Sequence, residues 1–227
     1  MKISMRAMTG EESWIYLLNQ HKAFHSYLKK FGYTYQKLAP NFMNDMFEKS
    51  DLTNDELCVY HDKFIKKYNI EKLQRFDDVF TSYIEPKLKN SINKFLVPLL
   101  PSWNAILPEK LEILCTFGEG AGYERKNEEY ARIFFRMSRF PNNKKMVFEL
   151  LFHEFVHILI EFPIIQKYNV PHEVKERIVD IICYEFIKKP VQKIFEDSYV
   201  NKYINAQVIT ENLPAAVNKM KNNFAKK

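Results

Sequence analysis

Glycine is scarce in this chain, at 5 of 227 residues, and three of the five fall together at Gly118, Gly120 and Gly122. No Gly-Lys-Ser/Thr follows them and no helix opens directly after, which excludes a phosphate-binding loop. The stretch from Gly118 to Gly122 reads as a flexible turn on the rim of a cleft. Cysteine is scarcer still. Three residues at unrelated spacings fit reduced thiols and exclude a disulfide framework. No apolar run approaches membrane-spanning length without charges, and Met1 to Arg6 lacks a continuous apolar stretch of the secretory kind. The expectation is a cytoplasmic protein without a membrane span. Linkers, repeats and low-complexity segments are missing too. Charge is plentiful: 34 Lys and Arg against 28 Asp and Glu leave +6. The lysines are spread along the chain and no nucleic-acid motif accompanies them, so they read as a solvated surface with no specific nucleic-acid partner.

What is present is ample material for a core, 46% hydrophobic and 15% aromatic. Residues 10–100 read as helical. A helix from Glu11 to Phe31 stops at Gly32, Thr53-Asn54-Asp55-Glu56 is a capping box opening a helix to about Tyr68, and Glu71 to Leu100 is helical with a kink at Pro86. Leu111–Phe117 and Ala131–Met137 read as strands. Residues 191–205 read as a further helix after a stop at Pro190, and Lys219–Lys227 as a frayed basic tail. The fold class expected is α+β and predominantly helical. A helical region over 1–105 packs on a region over 106–227, and one continuous domain is equally compatible.

The chemistry is concentrated in His153-Glu154-Phe155-Val156-His157. Residues four apart share one helix face, with Cβ atoms roughly 5–6 Å apart. Two imidazoles can therefore converge on one metal while the glutamate beside the first reaches the water that the metal activates. Met146, Phe148, Leu150 to Phe152, Phe155, Val156 and Ile158 to Ile160 make the surrounding helix apolar almost all round, as in a buried helix. A catalytic zinc site takes three protein ligands, so one more His, Asp or Glu is required. After Glu161-Phe162-Pro163 closes the run and Lys167 to Pro171 makes a turn, a second helix reads from His172 to Ile187. On it Glu176 and Asp180 stand one turn apart on a shared face. Glu173 competes for the third position, but Arg177 stands where it would need an acid four residues on.

In these residues the chain resembles the gluzincins, the thermolysin-like zinc peptidases, whose signature is HExxH followed on the next helix by E-x-x-x-D. The resemblance covers about residues 130–190. It implies a zincin-like core with a small sheet before the HExxH helix, one Zn²⁺ held by His153, His157 and Glu176, Glu154 as general base, and Asp180 orienting a ligating histidine. It also implies a Tyr or His after the third ligand to help hold the oxyanion, for which Tyr199 and Tyr203 are placed, His172 at its helix start suiting a surface role better. Residues 131–137 would be the sheet edge along which an extended substrate lies. The implied activity is hydrolysis of a peptide or protein substrate. Absence of the Gly-rich exopeptidase motif of one gluzincin branch points to endopeptidase over aminopeptidase action. The alternatives are a zinc-binding regulatory or interaction protein on the same scaffold, against which Glu154 speaks, and a helical nucleic-acid binder. His21 and His25 are also four apart, but no glutamate lies between them in a matching motif and no third ligand is evident. No signature of an oligomeric state is present.

Overall fold

A computed structural model describes residues 1–31, 34–68, 80–116, 120–136, 143–189 and 198–224. The protein is mostly helical, with a small mixed sheet. Strand β1 (Lys2–Ala7) leads into helix α1 (Gly10–Ser26), and after short helical turns comes α2 (Asn54–Lys67). A helical rod over 80–103, here α3, precedes β2 (Lys110–Thr116), β3 (Gly120–Arg125) and β4 (Tyr130–Arg136). Then follow α4 (Lys144–Ile160), α5 (His172–Ile187), α6 (Ala206–Glu211) and α7 (Leu213–Phe224).

Local chemistry accounts for many of these boundaries. Thr9 and Thr53 both close capping boxes, with Glu12 and Glu56 three residues on, so two N-terminal amides of each helix are satisfied reciprocally. Arg6 on β1 also grips Glu12 at 2.7 Å and ties strand to helix. Asn143 accepts from the Met146 amide to open α4. Pro163 does not end that helix as expected. The chain stays helical through a wide turn over Glu161–Gln166, because an i→i+5 turn accommodates a residue that lacks an amide hydrogen. Pro86 likewise stands in the first turn of Glu85–Ser91, directly after a wide turn over Phe80–Ile84. Lys188, at φ 55°, closes α5 in the left-handed conformation.

Among the described residues the sheet has the order β1-β2-β4-β3, with β1, β2 and β4 parallel and β3 antiparallel to β4. Two expectations are corrected here. Residues 120–122 are the start of a strand and not part of a turn, and β1 was not anticipated. Residues 117–119, the rest of that expected turn, lie outside the described residues, as do Gly32, residues 71–79, Met137 and residues 190–197. The helix expected over 191–205 is represented by Ser198–Asn201, and α7 runs helically to Phe224 where a frayed tail was expected.

Alternation makes one face of the sheet apolar: Leu111, Ile113 and Cys115 on β2 align with Ala131, Ile133 and Phe135 on β4, all buried. That core also holds Ile3, residues of α3, and the apolar faces of α4 and α5. A second cluster lies between α1, the short turns and α2 around Trp14, Phe24, Met43, Phe47 and Phe64. Residues 80–105 thus share a core with the sheet and with α4, while residues 14–64 build their own. Among the described residues no helix is long and apolar enough to cross a membrane.

Candidate metal centre

Every residue of α4 from Leu151 to Ile160 is buried, so its polar side chains need partners within the protein. His153 and His157 find them in each other and in α5. Their Nε2 atoms are 3.1 Å apart. Glu176 reaches both, with Oε2 3.5 Å from His153 Nε2 and Oε1 3.4 Å from His157 Nε2. These three residues form a buried group that can hold a metal ion. The separations suit the role: with donors about 2.0–2.2 Å from a tetrahedral zinc, neighbouring corners stand roughly 3.3 Å apart. Two imidazoles and a carboxylate are also the donor set of catalytic zinc sites that leave one position open.

Behind the donors, Asp180 Oδ1 lies 3.5 Å from His153 Nδ1, on the far side of the ring from Glu176. Lys189 Nζ contacts the same Asp180 oxygen at 3.3 Å and His153 Nδ1 at 3.4 Å. Asp180 is 1% exposed, so the ammonium group offsets a charge that burial disfavours. On the other side, Tyr123 of β3 stacks flat on the His157 ring, with centroids 4.9 Å apart and planes 8° from parallel. Its hydroxyl donates to Glu161 and accepts from Lys175 Nζ at 3.2 Å.

Burial and charge push the acids of this corner apart. Burial raises the Glu176 carboxyl, but the imidazoles of His157 and His153 outweigh it and hold the group well below the ordinary carboxylate range. Glu154 is lifted to about 7, chiefly by burial; attraction from His153 opposes this and the Glu176 charge adds to it. Burial also lowers His153 and His172 from the ordinary histidine value, and it is the neutral imidazole that a metal takes. Glu154, His157 and Glu176 open onto a cavity of about 500 Å³ between α1, β3, β4, α4 and α5.

The structure sorts the residues singled out from sequence. His153, His157 and Glu176 come together, Glu154 faces the adjoining cavity, and Asp180 stands behind His153. Glu173 is exposed and outside the group. Tyr199 and Tyr203 are not among the cavity-lining residues. The Tyr199 hydroxyl donates to the Met220 carbonyl at 3.2 Å and its ring packs on Tyr203, so Tyr199 ties the short helix Ser198–Asn201 to α7 and Tyr203 packs against it. Residues 131–136 are not an edge, because β4 is paired on both sides; the edge beside the cavity is β3. His21 and His25 contact the carbonyls of Lys49 and Phe47 at 2.8 and 3.1 Å, tying α1 to the chain end of the short helix Asn44–Glu48. His172, expected at the surface, lines the cavity.

Tyr123, Arg136, Lys175 and Lys189 were not anticipated. Nothing distinguishes Tyr123 among 13 tyrosines. The available signal was the polar stretch 126–129 between two alternating runs, a hairpin connection that places residues 120–125 beside β4. No family model, no curated protein and no solved structure matches this chain.

Proposed function

We propose that this protein is a zinc-dependent metallopeptidase of gluzincin type, hydrolysing peptide bonds with Glu154 as general base. The observation that carries the reading is one buried corner where three metal-ligating side chains adjoin a further carboxylate, Glu154, that faces a cavity. A structural zinc site closes with a fourth protein ligand and has no use for such a carboxylate. When bound, zinc supplies Lewis acidity and makes a water molecule nucleophilic near neutral pH.

The remaining steps belong to the chain's own residues. Glu154 takes the proton of the attacking water and passes it to the leaving amine. In the metal-free protein burial pushes its carboxyl up to about 7, as suits a group that must both take and give up a proton. Asp180 and Lys189 hold the His153 ring in place, and the Tyr123 ring braces His157. The supporting electrophile expected of Tyr199 or Tyr203 is assigned instead to Lys175, whose ammonium lines the cavity beside Glu154. An extended substrate adds alongside β3, whose residues 121–125 line the cavity, so that backbone hydrogen bonds align the peptide and the cavity receives side chains.

Elemental analysis after zinc-supplemented purification is expected to find close to one zinc per chain. Zinc-loaded Glu154→Gln is expected to retain the metal and lose cleavage of a peptide library that the unmodified protein cuts. Retained zinc with no cleavage by either protein would favour a zinc-binding interaction protein, and absence of zinc would remove both readings.

A further inference from the structure

Arg136 is the last residue of β4 and is 9% exposed. A buried guanidinium is ordinarily matched to a carboxylate. Among the described residues Arg136 makes no ion pair. Its Nη1 donates to Gln20 Oε1 on α1 at 3.0 Å and its Nη2 to the Ala121 carbonyl on β3 at 3.1 Å. Both partners are neutral. The Tyr16 side chain is a further hydrogen-bond partner of the guanidinium, and Glu154 lies close enough to feel its charge, yet these do not use all five of its N–H donors. Its Nε is buried and has no acceptor among the described residues, so the desolvation of that N–H is not offset by a hydrogen bond there. The contacts from α1 and β3 fix the plane of the fork, so the unmet donors are pre-oriented.

This cation lines the same cavity as Glu154 and His157. The contrast with Arg125, another cation on that wall, is instructive. Arg125 spends its donors on the carbonyls of Asn127, Ile158, Ile106 and Glu128, and so holds the β3–β4 connection together. Arg136 is left with spare donors. Four carboxylates and three cationic side chains line the cavity, and a divalent ion on His153, His157 and Glu176 turns that balance positive. Tyr16, stacked on Phe134 at 4.6 Å, lines the cavity with Arg136 and brings a hydroxyl to it.

We infer that Arg136 is a specificity-determining residue that binds a carboxylate of the substrate through its spare guanidinium donors. The identity of that substrate as a peptide rests on the peptidase reading; the carboxylate site does not. A peptide offers the group from two sources, an acidic side chain or a free C-terminus, and both present the planar pair of oxygens that an arginine fork matches.

Two measurements test this. In metal-free protein, the ¹⁵N–¹H signal of Arg136 Nε is followed during titration with N-acetylglycine and with its uncharged amide. A saturable shift with the acid and none with the amide is expected, and no shift with the acid overturns the proposal whatever the protein's activity. In zinc-loaded protein, kcat/KM is compared for peptide pairs that differ only in Glu against Gln, or in a free against an amidated C-terminus. One pair is expected to differ by at least about tenfold, the size of a single charge-assisted contact, and that pair identifies the source. In Arg136→Gln the preference should collapse towards one, with Arg136→Lys retaining part of it. A merely structural arginine would lower both members of a pair alike and leave their ratio intact, and that outcome refutes the proposal. Circular dichroism and zinc content establish that each variant is folded; should Arg136→Gln fail to fold, Arg136→Lys and the titration decide. A shift with the acid and cleavage of no peptide would uphold the carboxylate site and sink the peptidase reading.

Discussion

Replacing Glu154 by Gln in the metal-free protein isolates the energetic consequence of burying a base. Glu154 is 7% exposed, and burial lifts its carboxyl from an ordinary value near 4.5 to about 7. The folded form therefore binds the proton more tightly than the unfolded chain. The contribution of the group to stability is complete below about pH 4.5 and is lost as pH rises to about 7. Each tenfold difference in proton affinity between the folded and unfolded forms is worth about 1.4 kcal/mol, so the full loss is on the order of 3 kcal/mol. Gln keeps the shape and carries no charge at any pH. Urea unfolding of both proteins with a chelator present should give similar stabilities near pH 4.5. Their difference should then widen to about 3 kcal/mol in favour of the variant by about pH 8. A difference that stays constant across this range would refute the reasoning, showing that neighbouring charges keep Glu154 ionised at no net cost.

Other outcomes follow from the same geometry. Zinc affinity, read by competition with a chromophoric chelator, should fall at least about 100-fold in Glu176→Ala, because the roughly 10–16 kcal/mol that structural zinc sites draw from four protein ligands is about 3 kcal/mol for each. Asp180→Ala should lose about 10–100-fold and Glu173→Ala almost nothing; loss of metal in Glu173→Ala with retention in Glu176→Ala would reverse the ligand assignment. Lys175→Met should lower kcat by about 10²–10³ with zinc content unchanged, and a rise in KM alone would reassign Lys175 to substrate binding. Thr53→Ala, which removes one side of a capping box, should cost about 1 kcal/mol in urea unfolding with no effect on zinc.

The elements legible in the sequence are those set within a few residues. The spacing of His153 and His157 becomes proximity as soon as the segment is helical, since four residues make about one turn. The capping boxes at Thr53 and Thr9 work over three residues, and the helix expected from His172 to Ile187 is α5. Prolines misled where the chain answered them with wide helical turns: Pro163 reads as a stop, yet Glu161–Gln166 continues. Strand pairing was harder, because short strands containing Gly, such as β3, and a short N-terminal strand such as β1 carry little periodic signal.

By itself, then, the sequence determined a buried helix with two imidazoles and a glutamate on it, and a following helix with acids one turn apart. Which acid faces the imidazoles depended on how α5 packs on α4: burial of Val174, Ile178 and Ile181 turns Glu176 and Asp180 inward and leaves Glu173 exposed. The strand order likewise placed β3, not β4, at the edge, and with it Tyr123 beside His157 and Arg136 in the cavity. Helix periodicity is a local property of the backbone, whereas the partner a buried side chain meets is chosen by the burial of apolar surface from distant parts of the chain.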